Sequence, residues 1–323
     1  MPRPDLRIAA VQFEHRDGDK AYNLSRIREL TRQAAAGGAE VVAFHECSIS
    51  AYSFVQPFSK DELRDLAEPV PDGPSVRTLI DIARQSGVHV LAGLFERDGD
   101  ALFNTYVCVN GEGCLARFRK LHAFVNPHLS SGREFVHFEI NGWKCSILIC
   151  YDNNLPENVR VVALGGAEIV FMPHVTGCLP STMPGRGLVD PALWHARERD
   201  PVPLRLELDG PKGRGWLMRW LPARAWENGI YAVFSNPIGL DYGQVRNGHA
   251  LILDPFGEVL TECRELGDAF CLGVCTGEKL ELSSGRRYLR ARRPELYASL
   301  VAPPTEPPLT KPGWDLQTPA SGK

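Results

Sequence analysis

The sequence lacks both a strong charge imbalance and an N-terminal apolar run long enough to cross a bilayer. It has 36 basic and 39 acidic residues, a net charge of -3, with the signs interspersed. Because no broad basic face results to neutralise a phosphate backbone, nucleic acid is not an expected partner. The apolar part of Met1–Ala10 is short and no signal-peptide cleavage region follows it, so we expect a cytoplasmic protein without membrane attachment.

The chain also lacks the spacing of a disulfide framework or a metal site. Its nine cysteines show no regular pattern, and several lie in apolar runs where a free thiol packs as a small hydrophobic group. Cys271 and Cys275 have no second Cys or His pair to complete a zinc set. Neither a Gly-x-Ser-x-Gly elbow nor a phosphate loop is present. We therefore expect no disulfides and no metal.

What is present is an alternation of strand and helix patterns along 323 residues. Strands are predicted at Leu6–Phe13 and Glu40–Phe44 around a helix at Asn23–Ala36, and the pattern repeats beyond them. Further predicted elements are a helix at Ser75–Ser86, strand His89–Gly93, a hairpin Leu102–Val109 and Leu115–Arg119, strand Lys144–Ile149, helix Glu157–Leu164, strand Ile169–Met172, a helix from Trp216 to Asn228, and strands from Ile230 to Val274. This alternation predicts an α/β protein with a mixed sheet.

No composition break divides the alternating elements, so one domain is expected over 1–302. The stretch 180–215 has no sustained period and is expected to be a long excursion, either a lid whose arginines meet an anionic group or a surface loop. Residues 303–323 are rich in proline and are expected to form a tail without a packed core.

Three reactive side chains each follow an apolar strand, where α/β sheets place ligand-handling groups. They are Glu46, Lys120 and Cys150. Taken singly, each has a plain structural interpretation as a loop carboxylate, a solvated strand-end charge or a packed thiol. If the three strands are neighbours, the side chains converge and would form an acyl-transfer device, although the spacing alone supports this only weakly. Glu46 would act as general base for the thiol, and Lys120 and the backbone N–H of Tyr151 would stabilise the charge that develops on the attacked group.

The motifs around these residues resemble the carbon-nitrogen hydrolase, or nitrilase, superfamily. The resemblance covers most of the chain from Leu6 to Val274 and consists of motifs in the family's order. They are Ile8-Ala9-Ala10-Val11-Gln12, Phe44-His45-Glu46, Phe118-Arg119-Lys120-Leu121-His122, Ile149-Cys150-Tyr151-Asp152 with Pro156-Glu157 and Arg160, Ala223-Arg224-Ala225-Trp226-Glu227-Asn228, Tyr231, Asn236, Gly239, and Asp254-Pro255-Phe256-Gly257.

The resemblance implies a four-layer α-β-β-α sandwich that assembles as a homodimer or larger homo-oligomer. It implies hydrolysis without cofactor or metal, with Glu46 as base, Lys120 as stabiliser of the tetrahedral intermediate and Cys150 as nucleophile. Tyr151-Asp152 is similar to the amidase and carbamoylase branches, which favours a small amide or N-carbamoyl substrate. Two alternatives remain: a nitrilase using the same residues, and a catalytically impaired member that serves as a binding or assembly module.

One departure from the family pattern supports the second alternative. Members commonly carry a second glutamate between the lysine and cysteine motifs, shortly before a glycine that corresponds to Gly132, and residues 122–131 contain no carboxylate. We expect Asn126 or His128 to replace it, with His128 accepting a hydrogen bond from Lys120; the alternative is a solvated loop histidine. The residues expected to contact substrate, each of which has core packing as its alternative role, are Tyr52, Phe54, Phe124, His174 and Val175.

Overall fold

The computed structural model describes residues 4–181, 183–303 and 305. Its strands are β1 Leu6–Gln12, β2 Val41–Ala43, β3 His89–Asp98, β4 Ala101–Val109, β5 Cys114–Arg119, β6 His137–Ile140, β7 Trp143–Ile147, β8 Ile169–Pro173, β9 Tyr231–Ser235, β10 Ile238–Asp241, β11 Gln244–Asn247, β12 Leu251–Leu253, β13 Val259–Glu262 and β14 Ala269–Cys275. Its helices are α1 Lys20–Ala36, α2 Lys60–Leu66, α3 Pro74–Ser86, α4 Pro156–Leu164, α5 Pro191–Ala196, α6 Val202–Asp209, α7 Arg214–Leu217, α8 Leu221–Trp226, α9 Gly277–Leu282, α10 Ser284–Arg290 and α11 Ala298–Val301.

The strands form two six-stranded mixed sheets and a separate two-stranded hairpin. The first sheet has the order β14-β1-β2-β3-β4-β5, with β1, β2 and β3 parallel to one another. The second has the order β13-β12-β9-β8-β7-β6, with β7, β8 and β9 parallel. The predicted hairpin of β4 and β5 is confirmed, and β10 and β11 pair outside both sheets.

The two sheets pack face to face between helices. In β1 the side chains alternate, so that Ile8 and Ala10 belong to the same buried cluster as Ile147 of the second sheet, whereas Ala9 and Val11 pack with α1 and α3. On the other outer side, α4 and α8 cover the second sheet. The four-layer α-β-β-α sandwich expected from the sequence is confirmed.

The excursion 180–215 contains helical structure that the sequence pattern did not indicate. Helices α5 and α6 have only six and eight residues, which is too short for a sustained period, and α7 begins at its end. Helices α5 and α6 pack on the β10–β11 hairpin. Arg197 stacks on Trp194 at 3.8 Å and donates to the Leu266 carbonyl.

Two further sequence predictions concern the helix from Trp216 to Asn228 and the C-terminal tail. The helix expected from Trp216 to Asn228 is wrong as a continuous element, because residues 218–220 separate α7 from α8. The tail prediction for 303–323 falls outside the described residues except at 303 and 305. Within the described part of the chain, no helix has the length and apolar character needed to cross a membrane. All nine cysteines are free.

Candidate active site

Glu46 lies three residues beyond the end of β2 and is completely buried. Its carboxylate accepts three hydrogen bonds. Lys120 Nζ and Asn104 Nδ2 donate to Oε1 at 2.6 and 2.7 Å, and the backbone N–H of Val175 donates to Oε2 at 3.1 Å. Three strand ends therefore converge on this one carboxylate, since Lys120 follows β5 and Val175 follows β8.

Lys120 is almost as deeply buried, at 1% exposure. Besides the bond to Glu46, its ammonium lies 3.4 Å from the Tyr52 hydroxyl oxygen, and the ring centroids of Tyr52 and Phe124 are 5.1 and 4.8 Å away. The negative faces of these rings favour the cation electrostatically. A carboxylate and two aromatic rings thus surround the ammonium group.

Cys150 occupies a sharp turn after β7. Its φ of 51° is in the left-handed region, which is uncommon for a non-glycine residue and costs roughly 1–3 kcal/mol. The Glu46 carboxylate and the Val175 N–H both act on this thiol, the carboxylate raising its pKa and the N–H lowering it. With 8% of its surface exposed, the residue is more accessible than Glu46 or Lys120.

Asp152 connects the cysteine turn to the lysine loop. Its buried carboxylate accepts from the backbone N–H of Ile149 at 3.2 Å, from the N–H groups of Leu121 and His122 at 3.2 and 3.0 Å, and bonds His122 Nδ1 at 2.8 Å. Because these donors flank both Cys150 and Lys120, this single side chain fixes the distance between nucleophile and ammonium.

The charges of the three groups follow from burial and mutual contact. Burial raises the pKa of Glu46 although Lys120 and Asn104 act to lower it. Burial also works against the ammonium of Lys120, but the surrounding acidic groups, the Glu46 carboxylate foremost, together outweigh burial and raise the pKa of Lys120 well above its usual range. Burial and the Glu46 charge raise the pKa of Cys150 to about 12 despite the nearby lysine. At neutral pH the site therefore holds a charged ammonium and a neutral thiol, and the ammonium favours the ionised form of Glu46.

This arrangement suits proton transfer coupled to nucleophilic attack. The neutral thiol interacts with a carboxylate that can accept its proton during attack, so no standing thiolate is needed. The buried ammonium is positioned to stabilise negative charge that develops during attack.

The structure contradicts the prediction that His128 accepts a hydrogen bond from Lys120, and it places Asn126 in other contacts. Asn126 Nδ2 donates to the carbonyls of Val55 and Phe58 at 2.8 and 2.9 Å, and its Oδ1 accepts from the His128 N–H. The His128 side chain is exposed. The position next to the ammonium is taken by the Tyr52 hydroxyl, since Asn126 is committed to closing its own loop.

The other predicted contact residues lie around the three groups in different ways. Tyr52 and Phe124 contact Lys120, and Val175 contacts Glu46 through its backbone. The ring of Tyr151, the residue after the nucleophile, packs edge-on against the ring of Phe124. Phe124 therefore lies beside the cysteine turn.

The remaining two pack against other aromatic rings. Phe54 packs against Phe58. His174 is buried between Phe234 and Trp220, and burial lowers the pKa of its imidazole well below the usual range. Contact of any of these residues with substrate remains a prediction, as does the role of the Tyr151 N–H.

Sequence reasoning missed the roles of Asn104 and Asp152. Asn104 was detectable in principle, because the β4–β5 hairpin places it beside Lys120, whose N–H donates to the Asn104 carbonyl at 2.8 Å. Asp152 was noticed only as a branch marker. Its inward orientation depends on the lysine loop, which is 30 residues away in sequence, so no local pattern reveals it.

A mixed α-β-β-α sandwich that brings a carboxylate, an ammonium and a thiol together is the framework of a cysteine-dependent hydrolase. The chain belongs to the carbon-nitrogen hydrolase family, whose model matches residues 7–277.

Individual proteins agree with this assignment. The chain is 32% identical to an (R)-stereoselective amidase from Pseudomonas sp., with 80% of each chain covered. It is 28% identical to a nitrilase from Pyrococcus abyssi, covering 80% of this chain and 86% of the other. An amidase from Nesterenkonia sp. AN1, solved with the acetamide moiety of fluoroacetamide added at its active-site cysteine, superposes with a TM-score of 0.67 at 22% identity, covering 91% of this chain and 96% of that one.

Proposed function

We propose that this protein hydrolyses the C–N bond of a small linear amide or N-carbamoyl compound through a thioester on Cys150. The observation that carries the proposal is the Glu46 carboxylate, which accepts from the Lys120 ammonium at 2.6 Å and interacts electrostatically with the Cys150 thiol. A carboxylate that interacts with both groups serves as base and, after protonation, as acid.

In the first half-reaction, Glu46 accepts the thiol proton as the sulfur of Cys150 attacks the carbonyl carbon. Negative charge forms on the carbonyl oxygen, and Lys120 with the N–H of Tyr151 stabilises it; a well-placed donor contributes about 3–4 kcal/mol. Protonated Glu46 then gives its proton to the departing nitrogen. Ammonia or an amine leaves, and the acyl group remains on the sulfur.

In the second half-reaction, Glu46 removes a proton from water, and the resulting hydroxide attacks the thioester carbon. The tetrahedral intermediate collapses with the sulfur as leaving group, and the proton held by Glu46 restores the thiol of Cys150. The net reaction consumes one water and yields a carboxylic acid or carbamate with ammonia or an amine.

A substrate panel of short aliphatic amides, N-carbamoyl amines and matching nitriles tests the proposal. We expect ammonia or amine release from amides or carbamoyl compounds, and loss of that release in Cys150→Ala. The nitrilase relative favours a second candidate, conversion of a nitrile to its acid with ammonia, which the panel would reveal as nitrile consumption without amide turnover. No turnover across the panel would instead favour the binding or assembly module.

Two broader expectations belong to the same proposal. Nine free cysteines support residence in a reducing compartment such as the cytoplasm. A homodimer or larger homo-oligomer remains the expected assembly, and light scattering of the purified protein measures its mass directly.

A further inference from the structure

The segment 45–53 carries both Glu46 and the Tyr52 ring that contacts Lys120. Its backbone enters the left-handed region at two non-glycine residues, Cys47 with φ of 47° and Ala51 with φ of 67°. Such conformations cost roughly 1–3 kcal/mol each and persist only where surrounding contacts fix them. The position of Glu46 relative to Lys120 therefore depends on what holds this segment.

Both ends of segment 45–53 are connected to the same carboxylate, that of Asp241. At one end, the N–H of Ser53 donates to Oδ1 at 3.1 Å and its hydroxyl donates to Oδ2 at 2.5 Å. At the other end, His15 bridges the gap: its Nε2 lies 3.1 Å from Asp241 Oδ1 and its Nδ1 lies 2.9 Å from His45 Nε2. All four residues are buried.

Asp241 is fixed and charged. It ends β10 of the hairpin outside the two large sheets, and Arg246 of β11 bonds its Oδ2 through Nε at 3.0 Å and a terminal nitrogen at 2.9 Å. Burial opposes the charge, but Arg246 together with the bonds from His15 and Ser53 lowers the pKa of Asp241 well below its usual range. Since this guanidinium already neutralises the carboxylate, the cluster of His15, Asp17 and Asp241 does not call for a metal ion.

The middle of the segment has separate support. Asn23 Nδ2 donates to the Ile49 carbonyl at 3.0 Å, and the Gly18 N–H donates to the Ser50 carbonyl at 3.0 Å. Loss of one contact to Asp241 therefore releases an end of the segment without unfolding it. Glu46 and Tyr52 lie at these two ends. Glu46 is next to His45 and Tyr52 is next to Ser53, the two residues connected to Asp241.

We propose that Asp241 is a positioning residue for the catalytic pair, fixing Tyr52 against Lys120 through Ser53 and fixing Glu46 through His15 and His45. This inference rests on the proposed function of Glu46 and Lys120. Asp241 itself takes no part in the chemical steps. It links the hairpin that supports the excursion 180–215 to the geometry of the base and its ammonium partner.

Matched substitutions test each connection. Ser53→Ala removes the hydroxyl bond to Asp241 and Ser53→Thr retains a hydroxyl, while His45→Leu removes the bond to His15 and His45→Gln retains a polar partner. Ser50→Ala is the control, because Ser50 is buried in the same segment and its hydroxyl bonds only the Ala51 carbonyl among the described residues. Direct removal of Asp241 is avoided, since it leaves Arg246 buried without its partner.

We expect kcat for the best amide of the panel to fall about 10-fold in Ser53→Ala and His45→Leu, with KM within two-fold, because a small misplacement of a catalytic group acts on the transition state. The acid limb of kcat/KM moves to higher pH in both variants. His45→Leu displaces Glu46 and Ser53→Ala loosens Lys120 through Tyr52, and either change weakens the charge interaction that lowers the pKa of Glu46. Ser53→Thr and His45→Gln recover at least half of the lost activity on a logarithmic scale, and Ser50→Ala matches the parent.

The inference is overturned if Ser53→Ala and His45→Leu match Ser50→Ala in kcat and acid limb, even where their melting temperatures fall. Failure of the proposed function is distinguished by Cys150→Ala, which then retains turnover. Should the parent turn over no substrate, the rate at which iodoacetamide alkylates Cys150, followed by intact mass, reports on the placement of the groups around the thiol. We expect this alkylation to be slower in Ser53→Ala than in Ser50→Ala, and equal rates overturn the inference.

Discussion

The carboxylate of Glu46 and the ammonium of Lys120 lie 2.6 Å apart with neither side chain exposed to solvent. A buried ion pair of this kind is costly to break on one side, because the remaining charge has no partner, yet replacing both members is often tolerated. The catalytic roles and the stability contribution of the pair are therefore separable by mutation.

Lys120→Met is expected to lower the free energy of unfolding by about 3–5 kcal/mol, since it leaves Glu46 buried without its counter-charge. The double variant Glu46→Gln/Lys120→Met is expected to recover most of that loss and to remain inactive. Urea denaturation and amide turnover measure the two properties. A double variant as unstable as the single one contradicts this description of the pair.

Asn104→Ala is expected to move the acid limb of kcat/KM to higher pH. The Asn104 amide donates to Glu46 at 2.7 Å and so favours the ionised carboxylate, which is the form that accepts the thiol proton. Without this bond the pKa of Glu46 rises further, and activity is lost at a higher pH as the solution is acidified.

The control for this experiment is Cys47→Ala, which removes the other side-chain partner of Asn104. The thiol of Cys47 donates to the Asn104 oxygen, whereas Glu46 accepts from the Asn104 nitrogen. The acid limb of Cys47→Ala should therefore coincide with that of the parent. An unshifted limb in Asn104→Ala would show that the amide does not set the ionisation of the base.

Asp152→Asn is expected to lower kcat by about 10–100-fold, because a neutral amide holds the backbone donors of the cysteine turn and lysine loop less firmly, and a small misplacement of either group is costly. His122→Ala removes only one of the four contacts and should have a smaller effect. Equal activity of Asp152→Asn and the parent would mean that this carboxylate does not fix the two groups.

The thiol of Cys150 is expected to remain protonated throughout the neutral range, since its pKa is raised to about 12. The difference in ultraviolet absorbance between the parent and Cys150→Ala should show no thiolate at pH 7–9. A thiolate signal in that range would indicate a preformed ion pair with Lys120 instead of proton removal by Glu46 during attack.

Much of the sandwich was predictable from sequence because its strands are short apolar runs between clear breaks. Glu46, Lys120 and Cys150 were candidates for the same reason, since each is a polar residue directly after such a run, but only the family motifs around them made the prediction strong. What the sequence could not provide were contacts between distant segments. Ser53 and Asp241 are 188 residues apart, and only the docking of the hairpin brings them together.

The error at His128 has a related cause. The sequence showed that residues 122–131 contain no carboxylate, but it did not show which side chains of this loop face Lys120. In the structure Asn126 bonds the loop to the carbonyls of Val55 and Phe58. The helices within the excursion were not predicted because they are too short to leave a periodic pattern.

Rapid-quench intact mass spectrometry during turnover of an amide tests the central claim most directly. The account predicts a transient adduct equal to the acyl group on Cys150, absent in Cys150→Ala, and trapped by hydroxylamine as the hydroxamate. Turnover that proceeds at full rate with neither adduct nor hydroxamate would contradict it.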